Sequence, residues 1–219
     1  MQRYGIIVVL WVGAYLSLWS QRTVEEVSDP RATALLEKLS GKFKRLNSYE
    51  VSFKLSFRMP EEEKVQVHRG VFVKSGPKYR IITKARKSYC DGQTLWIYLP
   101  ENKEVQITDA EDGDEQFTSP DDILDLYKSG DYIYRMLHSE TDDAVIEFKP
   151  TDRSVDYFKI KMAVDRQHQW PRRIEIFYKD GVRATLSFDR FETGKKYADA
   201  FFVFDKSKYP GVHVEDLRL

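Results

Sequence analysis

Apolar and polar side chains alternate without a break along residues 51–59, which read VSFKLSFRM. Alternation with a period of two predicts a β-strand whose side chains form one apolar face and one polar face. The apolar face either closes a protein core or lines a cavity, because both arrangements need the same alternation. Its members are Val51, Phe53, Leu55, Phe57 and Met59.

Two segments instead show the spacing of three and four residues that is typical of an amphipathic helix. In the first segment, Asp29 suits the N-cap and Pro30 suits the first helical position. In the second segment, which reads SPDDILDLY at 119–127, Pro120 occupies the same position. The apolar positions of the two predicted helices are Ala32, Leu35, Leu36, Leu39, Phe43 and Leu46, and Ile123, Leu124 and Tyr127.

Most of the remaining chain has the pattern of short strands separated by turn residues. The predicted strands are 49–59, 64–74, 78–85, 94–99, 103–108, 132–138, 144–149, 156–164, 172–179, 182–191 and 200–205. A sheet of so many twisted strands curls or splits, and two helices are too few to cover one of its faces. We therefore predict a mainly β (α+β) fold, an incomplete and strongly curved antiparallel β-barrel of about eleven strands with the helices covering its mouth.

Residues 1–20 differ from the rest of the chain, because an apolar run from Ile6 to Trp19 follows the single charge of Arg3. A run of about fourteen residues suits the hydrophobic region of a secretory signal better than a membrane span. We predict a cleaved signal peptide at 1–20, with an uncleaved anchor as the alternative, and a single domain at 21–219. The protein is then exported to the periplasm in soluble form.

The charge balance argues against nucleic acid as a partner. Lys and Arg together number 35, and Asp and Glu together also number 35. A chain without net charge has no overall field that would attract nucleic acid. Basic and aromatic residues interleave at 74–89, but Lys and Arg on the polar face of edge strands account for that pattern.

The sequence contains no nucleophile elbow, glycine-rich phosphate loop or zinc-protease motif. The four histidines are scattered, so their spacing predicts no metal site. Cys90 is the single cysteine, which excludes a disulfide within the chain, and no helix follows it that would lower its pKa. We expect a protein that is not an enzyme and that uses no cofactor or metal.

Aromatic residues make up 14% of the chain, with thirteen Phe and thirteen Tyr. They supply more apolar surface than the two predicted helices can cover. A cavity for a hydrophobic ligand would use this surplus, and ordinary packing of a β core is the alternative.

Three segments occur in a characteristic order. The first runs from DPRATALLEKLSGKFKRLNSYEVSFKLSF (29–57) to GVFVKSGPKYRI (70–81), and the second is YCDGQTLWIYLPENKEVQIT (89–108). The third is WPRRIEIFYKDGVRATLSFDRFE (170–192), followed by AFFVFDKSKYPGVHVEDLR (200–218). In their order and spacing these segments resemble the LolA-type periplasmic outer-membrane lipoprotein carrier family, over nearly the whole chain after the predicted signal.

The resemblance implies a carrier that binds the acyl chains of triacylated lipoproteins in an apolar cavity. Such a carrier takes its cargo from an inner-membrane ABC-type lipoprotein release complex and passes it to an outer-membrane acceptor, whose identity the sequence does not specify. We expect a monomer. In many members an Arg-Pro pair after the second strand helps to hold the helical lid, whereas Ser75 stands at the Arg position here. That latch is therefore missing unless Lys78 or Arg80 replaces it.

The predicted site is the apolar lining. Its residues are Val51, Phe53, Leu55 and Phe57 on the first strand, Val71, Ile81, Trp96, Ile176, Leu186 and Phe188 on later strands, and Leu35, Leu39, Ile123, Leu124 and Tyr127 on the helices. An error of one residue in register would move the residues of a strand to its other face. Tyr79 and Arg80 are predicted contacts for the release complex. Two other functions remain open, namely an envelope-stress sensor with the same fold and a carrier of free lipid.

Overall fold

A computed structural model describes residues 27–62, 65–112 and 120–218 of the chain, so the predicted signal peptide lies outside the described residues. Helix α1 spans Pro30–Lys44 and helix α2 spans Pro120–Asp125. Asp29 caps α1 as predicted, because its carboxylate accepts a hydrogen bond of 2.9 Å from the backbone N–H of Arg31. Short 3₁₀ turns lie at Ala110–Asp112, Leu126–Lys128, Asp199–Phe202 and Lys206–Lys208.

The described residues form twelve strands. These are β1 (Ser48–Arg58), β2 (Gln66–Ser75), β3 (Lys78–Thr83), β4 (Lys87–Cys90), β5 (Thr94–Leu99), β6 (Glu104–Asp109), β7 (Tyr132–Leu137), β8 (Asp143–Pro150), β9 (Tyr157–Asp165), β10 (Trp170–Tyr178), β11 (Arg183–Thr193) and β12 (His213–Asp216).

All twelve strands belong to one sheet, in the order β12-β6-β5-β4-β3-β2-β1-β11-β10-β9-β8-β7. Neighbours are antiparallel except for β12, which runs parallel to β6. The two end strands do not pair with each other, so the sheet is open. The predicted mainly β fold, an incomplete and curved barrel with few helices, is confirmed.

Three strand assignments differ from the prediction. The predicted strand at 200–205 is wrong, since Asp199–Phe202 forms a 3₁₀ turn. Its apolar residues match a period of two, yet none of the burial comes from strand pairing. Phe204 is buried in a cluster on the outer face of the sheet, and Phe202 packs against the rings of Tyr197 and Phe201. The short strands β4 and β12 were not predicted, because four residues are too few to show a clear alternation.

Helix α1 lies across the concave face of the sheet and supplies much of the main core. Its Ala32, Leu36, Leu39 and Phe43 are at most 3% exposed. Near the N-terminus of α1, the backbone N–H of Asp29 donates a hydrogen bond of 2.8 Å to the carbonyl oxygen of Tyr134 on β7. At its other end, the Phe43 ring packs edge-on against Tyr49 of β1 and Trp170 of β10. One helix therefore contacts β1, near the middle of the sheet, and β7, at one end of it.

The C-terminal segment packs on the outer, convex face. Phe204 and Val212 form a second apolar cluster with residues of β4, β5 and β6. In this cluster the hydroxyls of Tyr89 and Tyr209 are 3.1 Å apart and hydrogen-bonded. Burial, followed by this hydrogen bond, raises the pKa of Tyr89 to about 12. The segment 199–212 therefore acts as a cover for the outer face rather than as part of the concave face.

Gly70 on β2 lies opposite Phe53 on β1 and leaves room for the Phe53 ring. A Cβ at this position would lie 2.5 Å from Cζ of Phe53 and 2.7 Å from the backbone oxygen of Ile82. We expect Gly70→Ala to lower the free energy of unfolding by about 1–3 kcal/mol, measured by urea denaturation.

Gly41→Ala in α1 is the matched control, because its Cβ would meet only Nη1 of Arg45 at 3.6 Å. We expect this variant to be more stable by about 0.5–1 kcal/mol, since Ala is the better helix former. A Gly70→Ala protein as stable as the parent would show that the close approach of Phe53 is not required.

Candidate functional site

An apolar cavity of about 300 Å³ lies on the concave face, between the sheet and α2. It takes side chains from β3 and from β10, which are four strand spacings apart in the sheet. A flat sheet would separate these strands by roughly 19 Å, so the shared cavity reflects the curvature. The lining consists of Phe53, Leu55, Phe57, Phe72, Ile81, Pro120, Ile123, Ile174, Ile176, Tyr178, Ala184, Leu186 and Phe188.

Strand β1 contributes to both the core and the cavity. Val51 is fully buried in the main core, where α1 covers the sheet. Phe53, Leu55 and Phe57 follow on the same face but are only partly buried, and all three line the cavity. The alternation is the same throughout, so the change from core to cavity follows from which part of the strand a helix covers.

Eight of the predicted lining residues meet in this cavity. They are Phe53, Leu55, Phe57, Ile81, Ile123, Ile176, Leu186 and Phe188. Paired residues on adjacent strands share a face, and the register pairs Phe53 with Phe188 and Leu55 with Leu186. Their binding of acyl chains stays a prediction.

Five other predicted lining residues belong to the main core instead of the cavity wall. Val51, Leu39 and Leu124 are at most 1% exposed, and Leu35 and Tyr127 pack against the same cluster. Helix α1 lies closer to the sheet than the prediction assumed, so its apolar face is used for packing. In the described structure these five side chains support the cavity without lining it.

Val71 and Trp96 face away from the cavity, which corrects the side predicted for them. Val71 pairs with Ser52, which lies on the polar face of β1, so the inward residue of β2 is Phe72. Trp96 pairs with Tyr89 and packs in the outer cluster under the C-terminal segment. Both errors are register shifts of one residue, which the sequence of a single strand does not fix.

Five lining residues were not predicted. Ile174 and Tyr178 lie two residues on either side of Ile176, and Ala184 lies two residues before Leu186. Strand alternation alone would have found these three. Predicting Phe72 would have required the register of β2, and predicting Pro120 would have required the position of α2. Burial raises the pKa of the Tyr178 hydroxyl, which keeps it neutral beside the apolar lining.

Helix α2 covers part of the cavity and is held to the sheet by Asp121. Nζ of Lys74 lies 2.6 Å from Oδ2 of Asp121, and the hydroxyl of Tyr49 donates a hydrogen bond to Oδ1. We call these three residues the latch. Ser75, at the position of the family's Arg, does not take part in the latch. The predicted replacements do not take part either, because Lys78 pairs with Asp199 and Arg80 lies on the outer face.

A second set of contacts joins α2 to α1. The hydroxyl of Ser40 on α1 donates a hydrogen bond of 2.6 Å to Oδ1 of Asp125. Burial alone would raise the pKa of Asp125, but hydrogen bonds from Lys128 and Ser40 outweigh it and lower the pKa. A helix of six residues has little stability of its own, so these polar contacts and its apolar side chains determine its position.

Tyr79 and Arg80 lie on opposite faces of β3. The Tyr79 ring stacks on Phe72 at the edge of the core, with 6.2 Å between ring centroids. The Arg80 guanidinium lies between the rings of Tyr89 and Phe201, 4.8 and 4.5 Å from their centroids. The two side chains therefore do not form one continuous contact surface, and their role as partner contacts stays a prediction.

The described residues contain no group of three or more His, Cys, Asp or Glu side chains that could hold a metal ion. Cys90 is buried, and burial raises the pKa of its thiol, so it is not poised as a thiolate nucleophile. No helix in the described part of the chain is long and apolar enough to span a membrane. The site therefore consists of an apolar cavity with the polar latch beside it.

The fold and cavity define a class of protein, in which an open, curved antiparallel sheet partly encloses an apolar space. A protein-family model described as "Uncharacterized protein" matches residues 75–202. Because this is more than half of the chain, the chain belongs to that family. A search of curated proteins found no match.

Several solved structures are similar to this chain. An uncharacterized conserved protein from Thermus thermophilus has a TM-score of 0.52 at 9% identity, covering 85% of this chain and 97% of that one. A LolA superfamily protein from Nitrosomonas europaea has a TM-score of 0.42 at 17% identity, covering 79% and 97%. The lipoprotein LppX from Mycobacterium tuberculosis has a TM-score of 0.48 at 11% identity, covering 78% and 100%. A LolA superfamily protein is thus among the similar structures, and at these identities the similarity concerns the fold alone.

Proposed function

We propose that this protein is a carrier that binds the acyl chains of lipoproteins in its cavity and escorts them across the periplasm. The observation that carries the proposal is the cavity itself, since all of its lining residues are apolar or aromatic. Exposed acyl chains cost roughly 0.8 kcal/mol per CH₂ in water. A protein that moves them between two membranes therefore needs such a lining, and it needs no catalytic group.

The size of the cavity specifies how the carrier works. A volume of about 300 Å³ is at the lower end of the range for ligand pockets, which is roughly 300–1,000 Å³. Three acyl chains do not fit into this space as it stands. Loading a triacylated lipoprotein therefore requires α2 to move away from the sheet, which breaks the latch and the contacts of α2 with α1. In this proposal an inner-membrane ABC-type release complex loads the cavity, and an outer-membrane acceptor empties it.

The same volume favours a second candidate, a carrier of free lipid with fewer acyl chains. To distinguish the two, the protein is purified under gentle conditions from the periplasm of its own cells, and the molecules that accompany it are identified by mass spectrometry. Triacylated lipoproteins support the proposed function, and free phospholipid alone supports the second candidate. If neither accompanies the protein and an acyl probe such as a fluorescent fatty acid does not bind, both proposals are wrong.

A further inference from the structure

A row of basic and aromatic side chains crosses the outer face of four adjacent strands. The register pairs Arg58 of β1 with Arg183 of β11, Arg183 with Phe177 of β10, and Phe177 with Lys159 of β9. Paired residues share a face, so these side chains project together. With Phe158, the neighbour of Lys159, they form what we call the basic-aromatic patch.

The patch exposes an aromatic ring. Phe158 is 50% exposed, and its ring centroid lies 6.3 Å from that of the partly buried Phe177. The described residues include few other large apolar side chains with this degree of exposure. Folding gains nothing from leaving half of a phenylalanine in water, whereas an apolar partner would cover it.

Among the described residues, no carboxylate forms a salt bridge with Arg58, Lys159 or Arg183, whereas Arg135 on β7 of the same sheet does have an acidic partner, Glu147. Arg58 and Arg183 lie directly opposite each other, which is an unfavourable pairing of like charges. Lys159 and Arg183 instead contact the Phe177 ring, at 4.3 and 5.2 Å from its centroid. These contacts position the cations and leave their charge available.

The patch lies directly behind one end of the cavity. Phe57 and Ala184 are paired and line the cavity on the concave face. The next pair along the same two strands is Arg58 with Arg183, whose side chains point to the convex face. Tyr178 lines the cavity in the same way, one residue after Phe177. A surface bound at the patch would therefore lie close to this end of the cavity.

We propose that the basic-aromatic patch docks the protein on a membrane surface that carries anionic lipid headgroups. The three cations bind lipid phosphates, and Phe158 enters the interface between headgroups and acyl chains. A membrane offers negative charge and apolar depth at the same place, which matches an exposed ring surrounded by cations with which no described carboxylate pairs. The use of this docking in cargo transfer rests on the proposed carrier function, whereas the docking itself does not.

Vesicle co-sedimentation of the purified chain tests the proposal without any cargo. We expect binding to vesicles of equal parts phosphatidylglycerol and phosphatidylcholine to be at least about tenfold stronger than to pure phosphatidylcholine, and to weaken as salt is added. The double variant Arg58→Glu and Arg183→Glu should lose at least about tenfold in binding to the anionic vesicles. Phe158→Ser should also weaken it, by a smaller factor.

The double variant Lys38→Glu and Lys84→Glu is the matched control, since it changes the net charge equally at exposed positions outside the patch. We expect it to bind nearly as well as the parent. Circular dichroism confirms that each variant is folded. If the double variant Arg58→Glu and Arg183→Glu does not fold, the vesicle binding of Phe158→Ser alone tests the proposal. The proposal is overturned if the parent does not bind anionic vesicles, or if the folded patch variants bind as the parent does. Cargo binding is measured separately, so a failure of docking and a failure of the carrier function are distinguishable.

Discussion

Leu55→Glu is expected to abolish the binding of acyl chains while the protein stays folded. Leu55 lines the cavity and is partly exposed, so a carboxylate there remains hydrated in the empty protein. A bound acyl chain would remove that water, and burying an unpaired charge costs several kcal/mol. We therefore expect a loss of affinity of about a hundredfold or more for a fluorescent fatty acid, measured by titration.

Ser56→Glu is the matched control, because Ser56 is the next residue of β1 and lies on the opposite face, paired with Thr185 and Val67. It introduces the same charge outside the cavity and should bind the probe as the parent does. Urea denaturation of both variants separates lost binding from lost folding. If Leu55→Glu binds the probe with unchanged affinity, the cavity is not the acyl site. Equal losses in both variants would indicate an effect of charge alone.

The sequence was sufficient to predict the architecture, because period-two alternation and turn residues are local signals. The face of the first strand was predicted correctly from Phe53 to Phe57, since five alternating apolar residues leave no choice of side. Val71 was assigned to the wrong side for a physical reason. It belongs to the run VFV at 71–73, where both faces are apolar and only pairing with β1 decides the side.

The distinction between core and cavity could not be predicted from alternation. Val51 and Leu55 have the same pattern of neighbours, yet one is fully buried and the other lines the cavity. The difference arises because α1 packs over one end of the strand and leaves the other uncovered. The latch could not be predicted from the sequence either, since Lys74 and Asp121 are 47 residues apart and only the folded chain brings them together. Long-range contacts of this kind have no local sequence signal.

Asp121→Ala is expected to loosen α2 and to speed the exchange of ligand. The substitution removes the acceptor of the Tyr49 hydroxyl and the partner of Lys74, which are both largely shielded from solvent. Removing a carboxylate that accepts from two shielded donors costs about 1–3 kcal/mol. We therefore expect the amide hydrogens of α2 and the following turn to exchange about ten- to a hundredfold faster, measured by mass spectrometry.

The control is Asp199→Ala, which removes an ion pair of the same length, 2.6 Å, between Lys78 and Asp199. Asp199 is 88% exposed and lies outside α2, so its loss should change neither α2 exchange nor stability appreciably. A carrier that opens by breaking the latch should release a bound acyl probe faster in Asp121→Ala and at the parental rate in Asp199→Ala. Unchanged probe release in Asp121→Ala, despite faster α2 exchange, would mean that cargo leaves the cavity by a route that α2 does not control.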